Sequence, residues 1–199
     1  MYYSLDSTNL NCYEDSFVLI NKLDIRKQEE LDNVEQTITT INSAIIEEKQ
    51  EFEDVDFNFY KDLHYQLFSD LYEWAGKVRE INISKKATKF CLCDDIETLA
   101  VKCFDRLKNM NYFMDLPFAE FIDELTDLYC ILNFFHPFRE GNGRVQRLFL
   151  TLLIRNAGYD INFSDIDADE LMIATIKSVT GDIFALKTIF ENNVNQFSD

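Results

Sequence analysis

The sequence predicts an all-α fold, a helical bundle with one small β-hairpin, and three observations support this class. Gly and Pro are scarce, at 5 and 2 of 199 residues, which is typical of long helices joined by few tight turns. Apolar residues recur at alternating spacings of three and four in several segments, the pattern of amphipathic helices. Only residues 78–93 favour strands. The 47% apolar content argues against disorder, and the length suits one domain.

Two helices are predicted before the hairpin. The first covers residues 29–51, and its apolar stripe consists of Leu31, Val34, Ile38, Ile41 and Ile45. The second covers residues 56–74 and is expected to end at Gly76, because glycine readily adopts the left-handed conformation that closes many helices. A polar turn at Ser84-Lys85-Lys86 then separates the two short apolar runs of the hairpin.

Five helices are predicted after the hairpin. The first spans residues 94–110 and the second residues 117–136, since Pro137 disfavours helical geometry in the residue before it. A core helix follows a glycine-rich loop. The last two helices start near Ser164 and Asp182, residue types that cap helix N-termini.

The charge of the chain restricts its partners. A formal net charge of −17 repels phosphate backbones, so a nucleic-acid partner is not expected. Any nucleotide site must therefore supply its own local positive potential. The N-terminal decapeptide lacks the basic and apolar regions of a signal peptide, and no run of about 18 apolar residues predicts a membrane span. We expect a cytoplasmic protein with no membrane contact.

The five cysteines fit reduced, partly buried thiols, because they are odd in number and lie mostly within apolar periodic stretches. Cys91 and Cys93 could begin a metal site. Only His64 and His136 are available to complete it, and structural zinc normally has four N or S ligands, so zinc is not predicted. His64 is expected to be a core histidine.

Residues 136–147, HPFREGNGRVQR, combine charge and backbone flexibility between two apolar helices. Gly141 and Gly143 permit close approach of a ligand to the backbone. They precede a helix whose unpaired N–H groups and macrodipole favour an anion. Arg144 and Arg147 are one turn apart, so both guanidinium groups can face the same phosphates. This segment supplies the positive site that a nucleotide would need.

Two further side chains of the segment suit phosphoryl chemistry. Glu140 can hold Mg²⁺ through one carboxylate together with substrate phosphates. His136 can accept a proton near neutral pH, because an ordinary histidine has a pKa of about 6.5. Each residue alone could be structural: a helix cap, a turn or a surface charge. Their joint occurrence at this spacing favours a phosphoryl-transfer site.

This segment resembles the Fic signature, HPF-x-[D/E]-GNGR-x-x-R, at every defined position. Residues 67–76 and 79–85 also resemble the part of the family that precedes its hairpin, and residues 161–194 resemble its closing helices. The resemblance implies a Fic domain over residues 56–196, preceded by an N-terminal helical region at residues 1–55. We refer to residues 136–147 as the signature segment.

The resemblance implies a protein adenylyltransferase, which moves AMP from ATP onto a Ser, Thr or Tyr hydroxyl of a protein target, including itself. His136 would deprotonate that hydroxyl. Glu140 would hold Mg²⁺ or Mn²⁺ on the α- and β-phosphates. Phe138 would pack into the core and fix the loop.

The remaining signature residues are implied to bind the nucleotide. Gly141, Asn142 and Gly143 would cradle the phosphates, with Asn142 on the α-phosphate. Arg144 and Arg147 would hold the outer phosphates.

The hairpin is similar to the Fic flap, which binds the target segment by strand addition. Ser84, Lys85 and Phe90 are the candidate docking residues, and an exposed hairpin edge suits this role. A plain structural hairpin is the alternative.

Many Fic proteins contain an inhibitory helix with the pattern [S/T]-x-x-x-E-[G/N], whose Glu pairs with the second signature arginine and displaces the γ-phosphate. Ser43 and Glu47 match it and share one helix face, so Glu47 is expected to reach Arg147. Glu48 departs from the pattern, because it replaces the small final residue. A solvated polar face is the alternative.

Several functions share this resemblance. Family members can transfer UMP, phosphocholine or phosphate, and removal of AMP is a further alternative. A scaffold that binds nucleotide without turnover is another, although intact His136 and Glu140 argue against it. The sequence leaves the oligomeric state open, including a homo-oligomer.

Overall fold

Seven α-helices dominate the computed structural model, which describes residues 4–5, 11–85 and 88–196. The helices are α1 (Gln28–Lys49), α2 (Phe57–Phe68), α3 (Ile96–Asn109), α4 (Phe118–Phe135), α5 (Asn142–Asn156), α6 (Ala168–Ser178) and α7 (Phe184–Asn193). The predicted all-α class is confirmed. Within the described ranges, no helix is both long enough and apolar enough to cross a membrane.

Short strands form two small sheets. Strands β1 (Ser4–Leu5), β2 (Ile83–Lys85) and β3 (Thr88–Lys89) are antiparallel in the order β1-β2-β3. Strands β4 (Tyr159–Asp160) and β5 (Asn195–Gln196) pair antiparallel. The predicted hairpin is therefore present as β2–β3. The sequence did not indicate that β1 would cover the other edge of β2, nor that β4 and β5 would pair.

Helix α5 occupies the centre of the bundle and contacts α1, α2 and α4. Its buried residues are Asn142, Val145, Gln146, Leu148, Phe149, Leu150, Thr151, Leu152, Leu153 and Ile154. A helix that is buried on nearly every side is a core helix rather than a surface one. The signature segment leads directly into α5, so the candidate site is built on the most enclosed element of the fold.

Helix α1 buries a face that differs from its predicted apolar stripe. Its buried residues are Leu31, Glu35, Thr39 and Ile46. Ile41 and Ile45, which the apolar pattern assigned to the core, are 55% and 45% exposed. The face that packs on α2 and α5 thus includes a carboxylate. Hydrophobic periodicity does not predict this face, because charged residues of an amphipathic helix normally lie on the solvent side.

Helix α2 begins as predicted but ends earlier. The Asp56 side chain caps its first turn, accepting a backbone hydrogen bond at 2.8 Å. The helix ends at Phe68, six residues before Trp74, and tight turns follow. Gly76 is left-handed (φ +76°) but does not close the helix. Its N–H donates to Nδ1 of His64 at 2.9 Å, and glycine is needed there because a Cβ would lie 2.9 Å from Cβ of Tyr65.

The start of α6 differs from the predicted one. Ser164 lies in a short 3-10 turn, and its hydroxyl donates to the Asn162 side chain at 2.7 Å. The N-cap of α6 is Asp167, whose carboxylate accepts from the backbone N–H groups of Asp169 and Glu170 at 3.0 and 2.8 Å. For α7, the N-cap is the residue after Asp182, so that start is within one residue of the prediction.

The two candidate caps of α6 are separable by mutation. We expect Asp167→Ala to lower the free energy of unfolding by about 1 kcal/mol, because two N–H groups of the first turn lose their acceptor. Ser164→Ala is the matched control and should cost less than half as much, since its hydroxyl caps no helix. Urea denaturation at neutral pH measures both. A larger cost for Ser164→Ala would contradict the assignment of the cap.

Candidate active site

His136 connects α4 to the rest of the signature segment. It adopts a left-handed conformation (φ 41°, ψ 57°) that ends the helix where Pro137 predicted. Its ring stacks on Phe90 with 3.8 Å between centroids, and Nδ1 lies 3.1 Å from the Asn133 carbonyl oxygen. A carbonyl can only accept, so Nδ1 carries the proton of the neutral ring. Nε2 is then the unprotonated nitrogen, the form required of a general base.

Arg79 holds the backbone around His136 to the hairpin. Its guanidinium group donates to the carbonyl oxygens of His136 at 2.8 Å, Ile81 at 2.6 Å and Cys91 at 2.5 Å. Its own backbone N–H donates to the carbonyl of Pro137 at 2.9 Å. The side chain is buried. Sequence patterns assign Arg79 no individual role, because a single arginine in a loop produces no periodic signal.

His64, on helix α2, supports the signature segment. Its Nδ1 accepts from Gly76 N–H, so Nε2 bears the proton and donates to the Glu140 carbonyl at 3.0 Å. The ring stacks between Phe138, at 3.8 Å, and Phe68, at 4.7 Å. Burial lowers the pKa of His64 to about 3, which keeps the ring neutral. The predicted core histidine is confirmed, and it also positions the backbone of Glu140.

The loop is closed by Asn142. Its side-chain oxygen accepts from Phe138 N–H at 2.8 Å, and its side-chain nitrogen donates to the Phe138 carbonyl at 2.8 Å. Gly141 is left-handed (φ +79°), and a Cβ there would lie 2.3 Å from the Phe68 ring. The N–H groups of Asn142 and Gly143 are the first of α5 and have no intrahelical acceptor. The loop therefore presents donors to an anion in a fixed geometry.

Arg147 lies beside this helix start. Its Nη1 would be 3.3 Å from a Cβ at Gly143. Burial lowers the pKa of Arg147, and the nearby positive charge of Arg144 lowers it further. Among the described residues, no carboxylate lies within ion-pair distance of Arg147. Its charge is therefore suited to a bound anion.

Arg144 has a different environment. Its Nη2 lies 2.6 Å from Oε1 of Glu35 and 3.9 Å from Oε1 of Glu140, and its guanidinium group lies over the Phe68 ring at 4.7 Å. The contact with Glu35 was not predicted. The available signal was a carboxylate four residues after Leu31, next to the apolar stripe of α1.

Glu140 fits a divalent cation that arrives with phosphates. Its Oε1 accepts from Gly141 N–H at 2.9 Å, which orients the carboxylate towards the start of α5. Mg²⁺ is commonly held by one or two carboxylates together with substrate phosphates. Within the described part of the chain, no three His, Cys, Asp or Glu side chains cluster as a metal site.

A family model for the Fic/DOC family matches residues 54–154, half of the chain, and this range includes the whole signature segment together with His64 and Arg79. The chain belongs to the Fic/DOC family.

Curated Fic relatives extend the similarity beyond that match. A probable protein adenylyltransferase of Sinorhizobium fredii is 36% identical over 176 residues, which cover 88% of this chain and 90% of that protein. The protein adenylyltransferase VbhT of Bartonella schoenbuchensis is 33% identical over 181 residues, covering 91% of this chain and 38% of that protein.

Solved Fic domains have the same architecture. The N-terminal Fic domain of an effector from Bartonella sp. AR 15-3 has a TM-score of 0.90 at 25% identity, covering 98% of this chain and 95% of that chain. A Fic domain from Bartonella quintana with bound ADP has a TM-score of 0.87 at 25% identity, covering 94% and 95%.

The hairpin that resembles the Fic flap is the β2–β3 pair, and its docking role stays a prediction. Strand β2 contains Ser84 and Lys85 and is the middle strand, because Ser84 pairs with Ser4 on one side and Lys89 on the other. The side chain of Lys85 lies outside the described part of the structure. A target strand would therefore have to add beside β3 or replace β1. Phe90 follows β3 and contacts His136 through its ring.

The candidate inhibitory residues of this Fic protein lie elsewhere than expected. Ser43 and Glu47 do share a face, with the hydroxyl 3.2 Å from Oε1 of Glu47. However, Glu47 pairs with Arg155 at 2.9 Å, and the structure does not bring it to Arg147. Arg155 is eight residues further along α5, about 12 Å at the rise of an α-helix. The inhibitory role remains a prediction without the contact it requires.

We expect Arg79→Lys to lower the free energy of unfolding by about 3 kcal/mol or more, because a lysine cannot bond several buried carbonyls at once. Arg106→Lys is the control: the Arg106 side chain is 47% exposed and pairs with Glu124, a contact that lysine can also make, so the cost should be below about 0.5 kcal/mol. Chemical denaturation compares them. Equal costs would contradict the role given to Arg79.

His64 predicts a pH dependence. Above about pH 6.5 the His64 ring is neutral in both the folded and the unfolded protein, so protonation of His64 does not reduce the free energy of unfolding there. At lower pH the unfolded chain binds a proton that the folded protein does not, since the folded pKa is about 3. When the pH is lowered from about 7 to about 5.5, the free energy of unfolding should fall by about 1 kcal/mol more in the wild type than in His64→Phe. Urea denaturation at both pH values measures the difference, and parallel losses would contradict it.

Proposed function

We propose that this Fic protein is a protein adenylyltransferase, which transfers AMP from ATP to a Ser, Thr or Tyr hydroxyl of a target protein or of itself. The observation that carries the proposal is the signature segment, closed by Asn142 and leading into the donor-rich start of α5, with His136 at its beginning and Nδ1 of that ring against the Asn133 carbonyl. Relatives named as protein adenylyltransferases over most of this chain support it. Residues 56–196 are proposed as the catalytic unit and residues 1–55 as its N-terminal extension.

His136 acts as the general base. Its Nε2 takes the proton from the target hydroxyl, and the hydroxyl oxygen forms a bond to the α-phosphorus. The bond from that phosphorus to the α,β-bridging oxygen breaks, and pyrophosphate leaves with the electron pair. The hydrogen bond from Nδ1 to the Asn133 carbonyl selects the neutral tautomer in which Nε2 can accept a proton, and it stabilises the imidazolium that then forms.

The nucleotide is held by the rest of the segment. Backbone N–H groups at Asn142 and Gly143 bind phosphate oxygens, and Arg144 and Arg147 bind the outer phosphates. The Asn142 side chain already bonds to Phe138, so its own contact with the α-phosphate stays a prediction. Glu140 would hold Mg²⁺ or Mn²⁺, which neutralises charge on the α- and β-phosphates.

The test is transfer of label to the purified protein from ATP, with UTP, CTP and GTP in parallel. Label from ATP that requires Mg²⁺ or Mn²⁺ supports the proposal. We expect His136→Ala to lower the rate ~10²–10⁴-fold, because the base is lost, while ATP binding by calorimetry persists. Transfer at the wild-type rate by this variant would overturn the role of His136. Absence of label from ATP in the wild type, with or without an added protein extract, would overturn the proposed function.

A further inference from the structure

Glu35 is a buried carboxylate in the middle of α1, with only 8% of the residue exposed. A buried carboxylate is costly unless both oxygens have partners. Here both do: Oε1 pairs with Nη2 of Arg144 at 2.6 Å, and Oε2 accepts from the hydroxyl of Tyr72. The pair links the N-terminal helix to a residue of the signature segment.

Tyr72 holds Glu35 in place. The tyrosine is 1% exposed, and its ring stacks on Trp74 with 4.4 Å between centroids. Burial raises the pKa of Tyr72, and the neighbouring Glu35 raises it further, so the hydroxyl stays protonated and remains a donor. Glu35 is therefore attached to the core through one oxygen and to Arg144 through the other.

This attachment orients Arg144 without occupying it. Both carboxylate contacts of Arg144 involve Nη2, and a guanidinium group has several further N–H donors. The Phe68 ring below restricts the plane of the group. The side chain remains 28% exposed, so a ligand can reach it. Arg144 can thus bind Glu35 and a phosphate at the same time.

We propose that Glu35 is a positioning residue for nucleotide binding: it fixes the guanidinium group of Arg144 in the orientation that receives the outer phosphates of ATP. The N-terminal helix is then part of the nucleotide site. This inference rests on the proposed role of Arg144. Without Glu35, the Arg144 side chain gains rotamers and is repelled by the charge of Arg147, so the outer phosphates lose a preorganised partner.

The loss of affinity on substitution of Glu35 should depend on whether the nucleotide contains the outer phosphates. Glu35→Ala should weaken binding of ATP about tenfold, the scale of one charge-assisted hydrogen bond, and leave binding of AMP unchanged. Glu35→Gln should lie between the wild type and Glu35→Ala, because an amide oxygen can still accept from one of the two partners. Glu30→Ala on the same helix removes the same charge from an exposed position and should bind both nucleotides as the wild type does.

The experiment is calorimetric titration of the full chain with ATP and AMP for the wild type and these three variants, with melting temperatures as a folding check. Selective loss of ATP affinity supports the proposal, and Glu35→Gln provides the answer if Glu35→Ala does not fold. An equal loss of affinity for ATP and AMP would show that the role of Glu35 is only structural and would overturn the proposal. Tighter ATP binding in Glu35→Ala would overturn it too, since it would make Glu35 a competitor of phosphate.

The experiments distinguish failure of the proposed function from failure of the inference about Glu35. Binding is measured without turnover, so a wild type that binds ATP but transfers no label would overturn the adenylyltransferase assignment while leaving the Glu35 dependence to stand on its own titrations. Conversely, labelled product together with unchanged ATP affinity in Glu35→Ala would overturn only the inference about Glu35.

Discussion

The two hydrogen bonds between the Asn142 side chain and the backbone of Phe138 close the loop on which the site depends. A loop of this kind lacks the repeating hydrogen bonds of a helix or sheet, so its backbone groups need individual partners. Arg79 and His64 supply those partners from outside the loop. The helix start can then present unpaired N–H groups in one arrangement, which is the preorganisation that binding an anion requires.

The candidate site is locally positive, whereas the chain as a whole is negatively charged. The net charge of −17 opposes a nucleotide, and two neighbouring arginines offset it locally. They are treated differently: Arg147 has no carboxylate within ion-pair distance among the described residues, whereas Arg144 is attached to Glu35. One arginine thus supplies mainly charge, and the other supplies charge in a fixed orientation. The two adjacent cations of the candidate anion site therefore differ in how firmly the surrounding protein orients them.

Sequence patterns predicted the helices well and their ends less well. Periodicity located α1 to α5, because burying an apolar face is a property of the helix itself. The end of α2 and the start of α6 depended on turns whose residues are joined by tertiary contacts, as at Gly76, or by competing polar side chains, as at Ser164. The buried face of α1 was also misjudged, since the carboxylate of Glu35 is stable there only because Arg144 and Tyr72 meet it.

The amino-acid sequence was sufficient to predict the helical class, the signature segment and the residue types that suit phosphate chemistry, because these depend on local pattern and on side chains close together in the chain. The partners of those residues depend on the three-dimensional fold. Glu35 and Arg144 are more than a hundred positions apart, and Glu47 meets Arg155 rather than Arg147. Such pairings follow from how α1 lies on α5, and packing of one helix on another is set by the shapes of both surfaces, which a linear pattern does not contain.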